Sequence, residues 1–480
     1  MLASGLLAGR ALPGVLGFGV LVSAIAVGQW SGSATAGDRR GGGDEGGVAG
    51  SSSGPDVVVG ALPDVSKYGT VNGISAYALG TTSCNIGDEV LAWYDTGALA
   101  NQHPVIAQNL YRLKDGRIEM IGMSWLKHGF CALSQTLCGP CQATNCDTLG
   151  IGCSDPYSSG LNGSQSGLGP KSQVNAATGA FPYPFQAPAA QATIGRRLQV
   201  PITDLDPAQN AGALYFGEGH YVTPDDAAAG NDDNNASYRR MTVGSFSSGA
   251  WALAFTGPTV QQKPAIYAWQ DHGLGVNTPD PDVQIDAIDV PDDGRFLVGY
   301  KAWQVGENLW HYEYAIHNLN SDRSGQAFEV PIPAGVEVTN VEFHGVRHHS
   351  GEPYSSANWT WESVPGGIRW LTRTYAETEN ANALRWGTMF NFRFEANAPP
   401  QQVEATLTLF KPGDVPSMAI ATLGPAANSI PGDLDGNGVI DGVDLAALLS
   451  AWGTDDPEAD LDHDGVVGGP DLAIVLGGWG

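Results

Sequence analysis

Two stretches of the chain place acidic and amide side chains at intervals that suit a divalent cation. Asp433, Asp435, Asn437, Asp441 and Asp444 stand at relative positions 1, 3, 5, 9 and 12, with Gly438 at position 6. Asp460, Asp462, Asp464 and Asp471 stand at 1, 3, 5 and 12 of a second copy, with Gly465 at 6. A hard cation such as Ca2+ takes six to eight oxygens, and a 12-residue loop offers them at positions 1, 3, 5, 7, 9 and 12. Position 7 contributes a backbone carbonyl, which Val439 and Val466 can supply whatever their side chains. Position 6 must turn sharply, and glycine does so without strain. Position 9 of the second copy is Gly468, so a water has to stand in there. Aspartate fills position 12 in both copies, where the EF-hand pattern has glutamate.

The duplication has a period of 27 residues, carried by Asp433 and Asp460 and by Trp452 and Trp479. No helical pattern precedes either loop. Each runs instead into one short apolar helix, expected over Leu445–Trp452 and Leu472–Trp479. A calcium loop plus one helix, twice over, resembles the type I dockerin module. The resemblance covers 431–480, about a tenth of the chain. It implies a small α-helical fold stabilised by Ca2+, and helix faces that bind a cohesin-like domain on another protein or a cell-envelope partner. At the loop positions that steer partner choice in that family, this chain has Gly442-Val443 and Gly469-Pro470 rather than small hydroxyl or charged pairs. The competing reading is a calcium-stabilised tail without a cohesin partner.

The rest of the chain must be read for what such a tail would carry. Net charge is −27, with 50 acidic residues against 23 basic. That balance opposes nucleic acid and anionic membrane surfaces. Residues 1–36 resemble an export signal: Arg10 is the single charge before Asp38, an apolar run spans Ala11 to Val27, and Ala34-Thr35-Ala36 is a small-x-small cleavage site. The run is short and glycine-rich for a spanning helix, so cleavage leaves no membrane span. Residues 37–54 form a Gly/Ser-rich linker. A secreted, extracellular or cell-surface location follows, and it suits disulfides among the six cysteines, Cys84, Cys131, Cys138, Cys141, Cys146 and Cys153. Cys138-Gly-Pro-Cys141 also matches a redox pair, and four of the cysteines match a zinc site. Neither has the surrounding pattern.

From 55 to 422, strand signals separated by turn residues predict a mainly β, sandwich-like, disulfide-stapled domain, with a subdomain boundary near 270–282. A linker at 423–430 precedes the tail. Val105–Arg112 and Arg117–Gly122 form a predicted hairpin, Ser124–His128 a predicted short helix, and 150–186 a long irregular loop. Trp310, Tyr312, Tyr314 and Ile316 alternate toward a core. His311, Glu313 and His317 then face the solvent side. With His344, His348, His349 and Glu352 they are candidates for a transition-metal site. Glu218 and His220 could form an acid/base pair. Asp225, Asp226 and the run 230–235 could hold a second calcium, or cap their own turns. Tyr354, Trp359 and Trp361 could make a platform for sugar rings, against the plainer reading of core packing.

No phosphate-binding loop, nucleophile elbow, His-Glu-x-x-His or dinucleotide fingerprint occurs. The favoured expectation is a secreted calcium-binding modular protein with a non-catalytic β-rich surface or binding domain. The alternative is a dockerin-bearing hydrolase or lyase acting on polysaccharide, whose carboxylate pair would leave no local signature. Whether the chain is an enzyme stays open at the level of sequence. The test is whether Glu218, Glu313, Glu352, Asp225 or the histidines converge in a groove.

Overall fold

The structure, a computed structural model, describes residues 52–427, 431–436 and 438–480. The expected export signal at 1–36 and nearly all of the expected linker at 37–54 lie outside the described residues, as does Asn437. The described chain is mostly β, organised in several sheets and joined by three disulfides. Every ladder between its strands is antiparallel, as hairpin-connected chains with one core-facing side favour.

The largest sheet runs, in spatial order, through Ala250–Val260, Ala236–Ser247, Leu214–Val222, Val105–Lys114, Arg117–Met123, Leu198–Pro201, Ile74–Leu79 and Val65–Val71. The predicted hairpin at its centre is present, and Asp115 and Gly116 both take positive φ in its turn. Ser124–His128 is not helical. Leu126–His128 pairs as a short strand with Val105–Lys114, because Leu126 and His128 both point inward and a strand offers that alternation while a helical turn does not. The stretch 150–186 carries more order than a loop, with a strand at Ser154–Tyr157 and a helical turn at Ser159–Asn162.

Two five-stranded sheets follow. One is ordered Gln284–Asp289, Arg295–Gly306, Leu309–Asn318, Thr388–Ala396, Val338–Gly345, and the other Thr360–Val364, Gly367–Leu371, Gly325–Pro331, Pro400–Leu409, Ser417–Pro425. They face each other across an aromatic core. Phe328 lies 5.3 Å from Tyr314 and 5.1 Å from Phe392, and Trp370 lies 5.5 Å from Phe392, ring centroid to centroid. Rings in this range gain edge-to-face and offset contacts beyond their buried area.

Among the described residues, no ladder joins strands ending at Val260 to strands beginning at Gln284. The apolar core crosses that divide, however. Tyr111, Ile118 and Met120 share it with Phe296, Phe390 and Trp269. The second face of Leu309–Asn318 is therefore not solvent-facing. His311, Glu313 and His317 are 9 %, 0 % and 0 % exposed, because that face meets the strand Arg117–Met123.

Cys84–Cys138, Cys131–Cys146 and Cys141–Cys153 are bonded. The two cysteines of Cys138-Gly-Pro-Cys141 are thus committed to different partners, which removes both the redox-pair and the zinc readings. No described helix is long and apolar enough to cross a membrane.

Candidate metal centre

In the tail, two nine-residue helices, Gly442–Ser450 and Gly469–Gly477, each follow one acidic loop. The two loops fold alike. Position 4 takes positive φ in both (Gly436 at 71°, His463 at 61°), and so does position 6 (Gly438 at 86°, Gly465 at 92°). A Cβ on Gly465 would meet nothing within 4 Å, so backbone conformation rather than space demands glycine there. At Gly438 a Cβ would also come within 3.2 Å of the Ala334 carbonyl carbon, where the first loop leans on a turn of the β domain.

The carboxylates repeat their contacts in step. At position 1, Gly438 N–H donates to Asp433 Oδ2 at 2.7 Å, and Gly465 N–H to Asp460 Oδ2 at 2.8 Å. At position 12, Asp444 accepts from the N–H groups of Leu434 (2.7 Å), Asp435 (3.1 Å) and Asp441 (2.7 Å). Asp471 accepts from Leu461 (2.7 Å), Asp462 (3.1 Å) and Gly468 (2.6 Å). Burial opposes ionisation of Asp444, but its three N–H donors outweigh it and hold the carboxyl below the usual range. For Asp471 the Gly468 N–H is the leading cause of the same lowering. Both also lie in the first turn of a helix, where the partial positive charge favours an anion.

Carboxylate oxygens of Asp433, Asp435 and Asp444 lie within 4.8 Å of one another, as do those of Asp460, Asp462 and Asp464. Each group could hold a metal ion. At Asp462, desolvation and then the neighbouring charges of Asp464, Asp471 and Asp460 push the pKa up, the usual result of crowding like charges. The tail from 431 to 480 contains no Lys or Arg that could relieve that crowding. Of the other predicted ligands, Asp441 accepts from Val443 N–H at 2.7 Å and caps the first helix, and Asp471 remains with its three donors. Val439 and Val466 expose their side chains, which leaves only their carbonyls for a cation.

The same 27-residue step orders the apolar residues. The tail's core holds Ile440 with Val467 and Leu448 with Val475, flanked by Leu434, Leu461, Leu445 and Leu472. On the surface, Val439 and Val466, Leu449 and Leu476, and Trp452 and Trp479 are the exposed counterparts. The acidic spacing and the tryptophans are legible in the sequence, and the same period makes the paired core and surface residues legible as well.

The other candidate residues are placed differently. Glu218 is fully buried and accepts from Asn109 Nδ2 (2.8 Å), Tyr111 Oη (3.0 Å) and Ala265 N–H (2.6 Å), so it braces three elements. His220, also buried, is held neutral down to about pH 3 by desolvation, then by His317 and Lys171. Asp225 accepts from Ala92 N–H, Asp226 from Val57 N–H and Asn235 Nδ2, and Asp232 from Asn320 Nδ2, while Asp233 pairs with Arg295 at 3.0 Å. These acids brace neighbouring segments, and the charges of Asp56 and Asp232 lie close enough to Asp226 to add to the rise that burial gives its pKa. Trp359 is 4 % exposed and stacks on Phe343, Tyr354 is half-buried, and only Trp361 of the expected platform is well exposed. Glu313 lies 2.9 Å from Arg393, Glu352 caps the turn at Lys171, and neither opens onto a groove with the other. A crevice of about 330 Å³ does exist between the large sheet and the strap after His344. Asp204, His344 and Arg347 line it above an apolar floor.

No family model matches the chain, and no curated protein matches it. Among solved structures, the B domain of a biofilm associated protein is 12 % identical over 86 % of this chain and 93 % of its own. Its TM-score is 0.15, too low to carry a fold argument.

Proposed function

We propose that this chain is a secreted modular protein whose tail is folded by two Ca2+ ions and docks onto another extracellular protein. Its β domain serves as a non-catalytic surface or binding body. The observation that carries this reading is the 27-residue register, which governs ligands, core and exposed apolar residues at once. A loop that only needed to turn would have no reason to repeat its surface.

Ca2+ suits the clusters because every donor is oxygen and a carboxylate surplus raises affinity for a hard cation. Asp433, Asp435 and Asp444 would hold one ion, with the Val439 carbonyl and Asn437 completing it. Asp460, Asp462 and Asp464 would hold the other, with the Val466 carbonyl. Such small modules draw most of their folding energy from the metal. Three disulfides favour an oxidising, extracellular setting.

The docking surface would be the slanting rows Val443, Ala446, Leu449, Trp452 and Pro470, Ala473, Leu476, Trp479, all exposed. A contiguous exposed apolar patch of this kind marks an interaction site. The partner class is a cohesin-like domain with an apolar face. Equilibrium binding of the whole chain to an immobilised cohesin-type domain tests this. Binding is expected with calcium and lost with EGTA, and lost again in a Leu449→Asp, Leu476→Asp variant that still takes up calcium. Binding that survives both changes would reject the docking surface.

A further inference from the structure

Three side-chain oxygens are buried without a partner where the chain enters its β domain: Asp56 Oδ1, Asn234 Oδ1 and Asn235 Oδ1. Asp56 is 0 % exposed and Asn235 1 %. Asp56 stands just before the strand Val57–Ala61, and the two asparagines just before Ala236–Ser247. Asp226, also 0 % exposed, comes from the short helix Pro224–Ala229.

Contacts among these groups hold them side by side. Asn234 Nδ2 donates to Asp56 Oδ2 at 3.3 Å, and Asn235 Nδ2 to Asp226 Oδ2 at 2.6 Å. Val57 N–H, one residue on from Asp56, donates to Asp226 Oδ1 at 2.9 Å. Consecutive asparagines thus turn their amide nitrogens to the two carboxylates, and the four side chains close a ring. Each asparagine leaves its amide oxygen unbonded. Ser52 Oγ also donates to Asp56 Oδ2, so the bare atom of that carboxylate is Oδ1.

Carboxylate and amide oxygens only accept, so the bare atoms call for a donor or a cation. Among the described residues, Asp56 and Asp226 have no Lys, Arg or His within 4.0 Å. The neighbouring charges that act most on Asp226 are those of Asp56 and Asp232, both negative. Arg295 pairs instead with Asp233 and Asp289. Burying charge without a counter-charge is strongly unfavourable. Water could donate to the bare oxygens but would leave both carboxylates unbalanced. A divalent cation meets both needs at once, since two carboxylates match its charge. Every donor is oxygen, which selects a hard cation. Ca2+ accepts carboxylates and amide oxygens in a flexible shell, whereas Mg2+ demands a near-ideal octahedron and keeps its waters.

We propose that Asp56, Asp226, Asn234 and Asn235 form a calcium site of the β domain, separate from the tail. The ion pins the entry segment Ser52–Asp56 to the loop that follows the helix Pro224–Ala229. Asp225, whose carboxylate accepts from Ala92 N–H, stays outside the shell.

The test uses the full chain, with calcium alone as probe, with and without Asp433→Ala and Asp460→Ala to silence the tail's loops. Calorimetry should find one ion still bound in the silenced chain, and calcium should raise the Tm of its β domain by at least about 2 °C over EGTA. Asp56→Asn with Asp226→Asn, which keeps shape and removes both charges, should lower the ion count by one in either background and erase that Tm rise. A tail that takes up no calcium would change the totals and leave this difference intact. No ion bound in the silenced chain would overturn the proposal, as would a count that the paired Asn substitutions leave unchanged. If that variant does not fold, a crystal of the unaltered chain grown in calcium decides. An ion among the four side chains is expected, and a water or direct carboxyl–carboxyl contact in its place would overturn the site.

Discussion

Glu313 and Asp444 are both fully buried carboxylates, yet the chain surrounds them differently. Glu313 lies in the seam between the large sheet and the sandwich, 2.9 Å from Arg393, and Arg393 lies 2.9 Å from Glu119, which in turn lies 2.7 Å from Arg112. Asp444 sits among backbone N–H groups and other aspartates, in a tail without Lys or Arg. The seam gives each of its acids a guanidinium partner from within the chain and is complete at any ion concentration. The tail gathers negative charge that only a solution cation can balance. Buried acids therefore indicate a static clamp in one region and, on our proposal, a metal-dependent fold in the other.

The largest effect that could break this contrast lies in the seam. Arg393→Met leaves Glu313 and Glu119 buried with a partner removed, and should cost about 3–5 kcal/mol in denaturant unfolding, unchanged by EGTA. A cost below about 1 kcal/mol would mean the seam is not a clamp. In the tail, Asp433→Ala with Asp460→Ala should abolish the calcium-dependent part of stability, about 3 kcal/mol at saturating calcium. The midpoint of the β domain should not move. A tail that remains folded and indifferent to calcium in that variant would sink the reading of the loops.

Acid should separate the two regions again. Burial alone would raise the Glu119 pKa, but His344, Arg393 and Arg112 outweigh it and hold it down to about 2. A carboxyl depressed on folding contributes stability above its unfolded pKa, near 4.5, and loses it as pH falls toward 2. Stability should therefore drop by roughly 2–3 kcal/mol across that window, and Glu119→Gln should flatten the drop. An unchanged slope in Glu119→Gln would place the acid sensitivity elsewhere. The smallest effect belongs to the surface. Trp452→Ala and Trp479→Ala, at 46 % and 48 % exposed, should shift stability by no more than about 0.5 kcal/mol while weakening partner binding. A large stability loss would make these side chains core and not contact residues.

Much of the tail was legible in the sequence because ligand spacing is a local property: positions 1, 3, 5, 6 and 12 can be counted. The core-facing side of Trp310–Ile316 was legible for the same reason. What period-two alternation cannot say is what meets the other side. His311, Glu313 and His317 look like solvent-facing residues until Arg117–Met123 is laid over them, and that strand lies far away in the chain. Lys171 gave no signal, since it lies in a Gly/Ser/Pro-rich stretch and its burial depends on Trp386 and Gly387. The run from Asp225 to Asp233 gave no sign in the sequence that it braces four separate segments, through Ala92, Val57, Asn320 and Arg295.

The central claim is that the tail's carboxylates await a cation. The most direct measurement is calorimetric titration of calcium into the chelated full chain, with hydrogen exchange followed on the tail. Two ions should bind in the tail, and the amides of Leu434, Asp435, Leu461 and Asp462 should become protected together as they do. Fewer than two ions at millimolar calcium, or protection already complete in EGTA, would contradict it.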